Sequence, residues 1–247
     1  MIALEVSSAA GDAPGGVPGA IRNLVAALTR DDPETRYLLC SRFSRWRKGK
    51  IFRSDAPNTE TRVLQDPFNA FLLRGARLLH SMGIFLPTTP RIPKLLTVHD
   101  LNAVRNVQWV SERWHERRSG RIGRALARAD HVVTYSAYTA NEICEHYGLP
   151  AERVHPILLG VDTEKFRPPG AAEIERTRAR HGDFVLSIGI LAPRKNFPCL
   201  IEALAPLSQL RLVLVGRAGD GEAGVKEAIE RFGMAKRVDW MRSVPHA

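Results

Sequence analysis

Short apolar runs alternate along this chain with longer stretches whose apolar positions recur at helical spacing. The first residues, IALEV, form a β-rich run; the loop GDAPGGVPGA follows, and IRNLVAALTR continues with apolar residues one helical turn apart. That order predicts a strand, a glycine loop and a helix. Further strands are predicted at YLLC (37–40), TRVLQ (61–65) and KLLTVH (94–99), each bounded by polar or turn residues. A helical segment over 108–129 leads into the strand HVVTYS. Ser136 is the expected N-cap of the helix YTANEICEHYG, which Gly148 closes before Pro150, and VHPILL supplies one more strand. Residues 68–86, FNAFLLRGARLLHSMGIFL, carry Arg74, Arg77 and His80 among apolar positions and read as one or two amphipathic elements.

The rhythm breaks at GVDTEKFRPPG (160–170), where two glycines flank a Pro-Pro step. A second series begins beyond it, with strand FVLSIGI, helix NFPCLIEALAPL, strand LRLVLVG, helix AGVKEAIERFGM and strand RVDWM. Strands alternating with helices require crossover connections, so the fold class is α/β with parallel, doubly wound sheets. The expected organisation is an N-terminal Rossmann-like domain over 1–162, a linker over 163–176 and a partial second domain over 177–247.

Charge narrows the partners. A formal net charge of +10 favours phosphate-bearing ligands, anionic membrane surfaces or nucleic acid, and says nothing about fold. The three cysteines, Cys40, Cys144 and Cys199, are widely spaced without a CxxC, which argues against a disulfide framework and a zinc site and fits a reducing cytosol. No basic segment followed by an apolar one opens the chain, and no run reaches the roughly 18 apolar residues of a membrane span.

In an open parallel sheet the ligand crevice lies beyond the carboxyl ends of the strands. Gly15 and Gly16, between the first strand and helix, fit either a flexible turn or close backbone approach to a phosphate or sugar; their GGxxG spacing is not the GxGxxG fingerprint. His99 and Asp100 end a strand and face the crevice or the core. The pair could also belong to a metal phosphohydrolase, but no second His and Asp cluster stands at ligand spacing. Arg194 and Lys195, in PRKN after FVLSIGI, place two cations where a diphosphate would sit; Arg can fork two oxygens and Lys adds a mobile charge. A solvated surface pair is the alternative. Gly216 ends LVLVG at the matching place on the next strand, as a turn or as room for a ligand. Elsewhere SRFSRWRKGKIFR (41–53) interleaves cations with aromatics, and Arg117, Arg121, Arg124 and Arg128 form one helical stripe with Ile122, Ala125, Leu126 and Ala129 toward the core. Each is either a solvated face or a surface for anions.

Taken in order, GGVPGAIRNL, LLTVHDL, ARADHVVTYSAYTANEI, GVDTEKFRP, IGILAPRKN and LVLVG resemble the landmarks of glycosyltransferase family 4, most closely its bacterial mannosyltransferase-like members. The resemblance implies a GT-B architecture of two Rossmann-like domains, acceptor held mainly by the first and nucleotide-sugar by the second. It implies retaining transfer of a sugar to a glycan or lipid-linked acceptor in cell-envelope polysaccharide synthesis. No cofactor and no metal are expected, and nucleic acid is not an expected partner. By position, Gly15 and Gly16 would lie near the donor phosphates or acceptor. His99 would line the reaction centre, Arg194 and Lys195 would neutralise the leaving diphosphate, and Gly216 would sit beside the nucleotide. A cytoplasmic location follows, with peripheral contact to an anionic membrane as a further expectation.

Two departures accompany the resemblance. Ile190 stands where many members carry Arg. Ala247 precedes the E-x7-E segment that contacts donor sugar and ribose, and 77 residues follow Gly170 where a full domain usually takes roughly 150. The expectation is a chain incomplete in its second domain, inactive alone or needing a complementing piece. A reading from another class is a non-catalytic, basic membrane- or nucleic-acid-binding protein on a transferase-like scaffold.

Overall fold

The computed structural model describes residues 1–11, 15–88, 92–105, 108 and 112–244. Residues 12–14 of the glycine loop and 109–111 of the predicted helix over 108–129 lie outside that set. The chain divides into two compact units, Met1–Gly160 and Val161–Ala247.

The first unit is built on β1 (Ile2–Glu5), β2 (Tyr37–Arg42), β3 (Thr59–Leu64), β4 (Leu78–Ser81), β5 (Lys94–Thr97), β6 (His131–Thr134) and β7 (Val154–Pro156). They form one sheet in the order β3-β2-β1-β4-β5-β6-β7, every neighbouring pair parallel. The helices are α1 (Gly16–Asp31), α2 (Phe43–Trp46), α3 (Asn69–Leu72), α4 (Asn102–Arg105), α5 (Glu112–Leu126) and α6 (Ala137–Tyr147). Successive strand residues feed two cores. Leu4, Tyr37 and Leu39 bury with Ile21 and Val25 of α1, whereas Ala3, Leu38 and Cys40 bury with Ile122 and Leu126 of α5 and Ile143 of α6. Both faces are therefore covered, as a parallel sheet requires.

The stretch 68–86 holds more than amphipathic elements. It contains α3 and then β4, a central strand hydrogen-bonded between β1 and β5. His80 masked it, a titratable residue in a fully internal strand. Its Nε2 lies 2.8 Å from Thr97 Oγ1, and burial brings its pKa down to about 4, so the neutral imidazole is accommodated as a core residue. Helix α6 follows its sequence signals. Ser136 Oγ accepts from the Thr139 amide at 3.1 Å, and Gly148 closes the helix in the left-handed conformation at φ 66°.

The second unit contains α7 (Ala171–His181), β8 (Phe184–Ile188), α8 (Phe197–Leu204), β9 (Arg211–Val215), α9 (Glu222–Arg231) and β10 (Val238–Met241). Its sheet runs β10-β9-β8, all parallel. Phe197, Ile201 and Leu204 of α8 and Val225 and Ala228 of α9 bury one sheet face around Leu212 and Leu214. Leu186 and Ile188 of β8 are 51% and 68% exposed. Helix α7 occupies part of the stretch expected as linker. Its start is held by Glu173, whose carboxylate accepts from the Gly170 amide at 2.8 Å and pairs with Arg167 at 3.1 Å.

Candidate functional site

The strand order reverses between β1 and β4, and such a switch point opens a crevice at the carboxyl ends of the strands. The residues leaving β1 and β4 line it. Glu5 is buried at the end of β1, its Oε1 accepting from the Ser7 amide at 3.2 Å and its Oε2 without a partner. Burial pushes its pKa up to about 7, against weaker downward pulls from Ser7, Arg42 and Arg45. Ser7 Oγ accepts from the Arg42 amide at 2.8 Å, tying the end of β2 to the exit of β1. Across the switch point Gly83 lies so close to Ser8 that a Cβ would stand 2.9 Å from its hydroxyl.

Gly16 opens α1 directly after Gly15, and a Cβ built on Gly16 would meet nothing within 4 Å. Packing among the described residues therefore does not require glycine at 16. Arg22 donates to the Ala9 and Gly11 carbonyls, anchoring the start of this loop.

His99 leaves β5 toward the same end of the sheet. Its ring lies 3.1 Å from the Met82 carbonyl through Nε2, which must donate there, leaving Nδ1 as the acceptor. Tyr135 meets the ring edge-on at 5.1 Å between centroids. Burial holds the His99 pKa below the ordinary histidine value; the Met82 bond and Asp100 oppose this, and Arg118 adds to it. The group at 99 is a neutral, oriented imidazole suited to hydrogen bonding. Asp100 does not share that position. It is exposed, and its carboxylate accepts from the Asn102 amide at 3.1 Å at the start of α4. Among the described residues no group of three or more His, Cys, Asp or Glu could hold a metal ion.

In the second unit Arg194 and Lys195 occupy a single 3-10 turn, Pro193–Lys195, between β8 and α8. Both are exposed. Asn196 after them takes a left-handed conformation at φ 48°, which swings the chain into α8. What holds the turn was not anticipated from sequence. The β9–α9 loop, GRAGDG, lies backbone on backbone against the β8–α8 loop. A Cβ would stand 1.8 Å from the Gly189 oxygen if built on Gly216 and 2.6 Å from the Leu191 oxygen if built on Gly219; on Gly221 it would stand 3.0 Å from the Ala192 carbonyl carbon. Gly189 N donates to Val215 O at 2.9 Å, Leu191 N to Arg217 O at 3.1 Å and Gly221 N to Leu191 O at 2.9 Å. Gly216 is thus required by packing, whatever else it does. The spacing of Gly216, Gly219 and Gly221 was the signal available in the sequence.

The chain matches glycosyltransferase family 4 over residues 14–165, more than half its length, and belongs to that family. A D-inositol 3-phosphate glycosyltransferase of Nocardia farcinica is 29% identical over 171 residues, covering 63% of this chain and 38% of that protein. One from Catenulispora acidiphila is 30% identical over 143 residues, covering 55% and 34%. This chain thus spans well under half the length of these relatives. Among solved structures, sucrose-phosphate synthase of Thermosynechococcus elongatus superposes with a TM-score of 0.75 at 22% identity, over 99% of this chain and 71% of that one. HepE of Anabaena, solved with UDP, gives 0.67 at 19% identity, over 98% and 69%. These likenesses show the fold, a GT-B-like architecture with a seven-stranded Rossmann-like unit and a smaller second sheet.

Proposed function

We propose, from membership of glycosyltransferase family 4, that this chain serves transfer of a hexose such as mannose from a nucleotide-sugar to a glycan or lipid-linked acceptor of the cell envelope. The transfer would be retaining and independent of metal. The observation that carries the reading is the turn bearing Arg194 and Lys195, presented at the carboxyl end of β8 on a base of interlocked backbone. Negative charge grows on the diphosphate as it leaves, and cations already fixed in place stabilise it without reorganisation. His99, neutral and aimed by the Met82 carbonyl, would hydrogen-bond the sugar in transit, and Gly16 would admit acceptor or phosphate. The exposed Arg117 and Arg124 of α5 favour work at the inner face of an anionic membrane.

Donor binding tests this directly. Calorimetry with UDP and GDP should show one of them binding, weakened about tenfold in Lys195→Ala through loss of a charge-assisted contact. Undiminished binding in Lys195→Ala would sink the assignment. Retention of radiolabel from a nucleotide-sugar in extracted glycan or lipid would identify the acceptor class.

A further inference from the structure

His99 and Tyr135 leave neighbouring strands at the same end of the sheet. Thr97 lies opposite Val133 in the β5–β6 ladder, and the Val98 amide donates to the Val133 carbonyl at 2.9 Å. The same register carried two places further sets His99 beside Tyr135, where the rings meet at 5.1 Å between centroids with their planes inclined by 63°. Edge-to-face packing of aromatic rings favours one mutual orientation over others. The imidazole needs such a partner. Its bond from Nε2 to the Met82 carbonyl fixes one atom and leaves the rest of the ring free to swing about that contact. Met82 is itself held, its amide donating to the Glu5 carbonyl at 3.1 Å and its side chain buried with Leu4 and Ile21. Tyr135 is held on both sides too: the Thr134 carbonyl accepts from the Ile157 amide at 2.7 Å, and Ser136 caps α6. Burial raises the Tyr135 pKa, so the phenol stays neutral, and its place beside His99 is set by its ring.

We propose that Tyr135 is the positioning residue for His99: its ring, and not its hydroxyl, holds the imidazole in the one plane and tautomer that present Nδ1 as an acceptor in the crevice. That Nδ1 receives a sugar rests on the glycosyl-transfer reading, whereas the orientation of His99 stands on β1, β4, β5 and β6 alone. Without Tyr135 the imidazole can turn away from the Met82 carbonyl and exchange tautomers, and water reaches a ring that burial now keeps neutral. The charges that face the imidazole are Asp100, next to it in the chain, and Arg118 of α5. They act in opposite directions on its pKa and stay in place when Tyr135 is changed.

The test uses the whole chain labelled with 15N in its histidine rings, with His99 assigned by His99→Gln. Above the His99 midpoint, two-bond 1H–15N spectra of the parent should show one tautomer, protonated at Nε2 and bare at Nδ1. Tyr135→Phe should keep both that tautomer and the midpoint. Tyr135→Leu, which retains apolar bulk without a ring, and Tyr135→Ala should each average the two nitrogen shifts. In Tyr135→Ala the midpoint should also rise by about half a unit, a roughly threefold change in the protonation equilibrium as water reaches the ring. Ile143→Val, a conservative change in the α6 core, controls for general loosening and should move neither readout. Circular dichroism of each variant checks the fold. A single Nε2-protonated tautomer that persists in both Tyr135→Leu and Tyr135→Ala, or averaging in Tyr135→Phe as well, overturns the positioning role. Addition of UDP-glucose or GDP-mannose reads the other link. A tautomer that depends on Tyr135, while neither nucleotide-sugar shifts the His99 nitrogens, would leave Tyr135 standing as the positioning residue and refute the sugar contact of His99 instead.

Discussion

Gly216→Ala is the substitution that tests the architecture of the second unit most severely. The new methyl would start 1.8 Å from the Gly189 oxygen and 2.6 Å from its carbonyl carbon, where ordinary contact begins at 3.4 Å. Residue 216 cannot retreat, because its amide donates to Met241 O at 2.8 Å and its carbonyl accepts from Trp240 Nε1 at 2.8 Å. Relief requires moving the β8–α8 loop by more than an ångström, which breaks the Gly189–Val215 and Leu191–Arg217 bonds. Overpacking of about 1–3 kcal/mol and two lost hydrogen bonds of about 1 kcal/mol each give a cost of about 3–5 kcal/mol. At roughly 0.05–0.15 kcal/mol per residue, a unit of this size holds on the order of 4–13 kcal/mol, so the substitution removes much of its margin. Urea titration of 5-fluorotryptophan-labelled protein, followed by 19F NMR, resolves the four tryptophans. The Trp240 signal, assigned with Trp240→Phe, should shift its midpoint strongly downward while the first-unit tryptophans keep theirs. A Trp240 midpoint within 0.5 kcal/mol (about the error of such titrations) of the parent would refute the backbone-contact reasoning.

Three further outcomes follow from the same structure. Gly224→Ala has the opposite sign: its Cβ would first meet Pro198 at 3.9 Å, inside α9, so the same assay should show a gain of up to about 1 kcal/mol. Ser136→Ala removes the cap of α6 and should cost about 1 kcal/mol in urea unfolding; loss below 0.3 kcal/mol (roughly the measurement error) would contradict the capping role. Glu5 titrates near 7 when folded and near 4.5 when exposed, so the folded state holds a proton that the unfolded state has released. Stability linked to this group therefore falls as pH rises from about 4.5 to about 7, by about 3 kcal/mol in full, and is level above that. Glu5→Gln should abolish that slope, and a variant whose stability falls with pH as steeply as the parent's would exclude Glu5 as its source.

The alternation of strands and helices was legible because most strands present apolar runs and most helices a periodic face. Ser136 and Gly148 were legible for a local reason, since each acts on its own helix. β4 was not, because a polar His80 interrupts its short run and only Thr97 on the neighbouring strand makes that burial tolerable. α7 was missed because AAEIERTRARH has little apolar stripe and is held by the Glu173 contacts. Arg194 and Lys195 were singled out from the sequence, yet what holds their turn was invisible there: that Gly216 abuts Gly189 depends on the register of β8 against β9. The stacking of Arg42 on Phe85 was hidden for the same reason, since the two lie far apart in sequence and meet only through the sheet.

One property of β8 reaches beyond binding and catalysis. No strand pairs with its second edge among the described residues, it contains no charged residue or proline, and Leu186 and Ile188 stand outward. Such an edge is a template for any extended apolar segment, including another copy of itself. The net charge of +10 keeps copies apart at low ionic strength, but that repulsion fades over about 10 Å in 0.1 M salt. For these residues taken by themselves, added salt should favour association through this edge, and Ile188→Lys should oppose it.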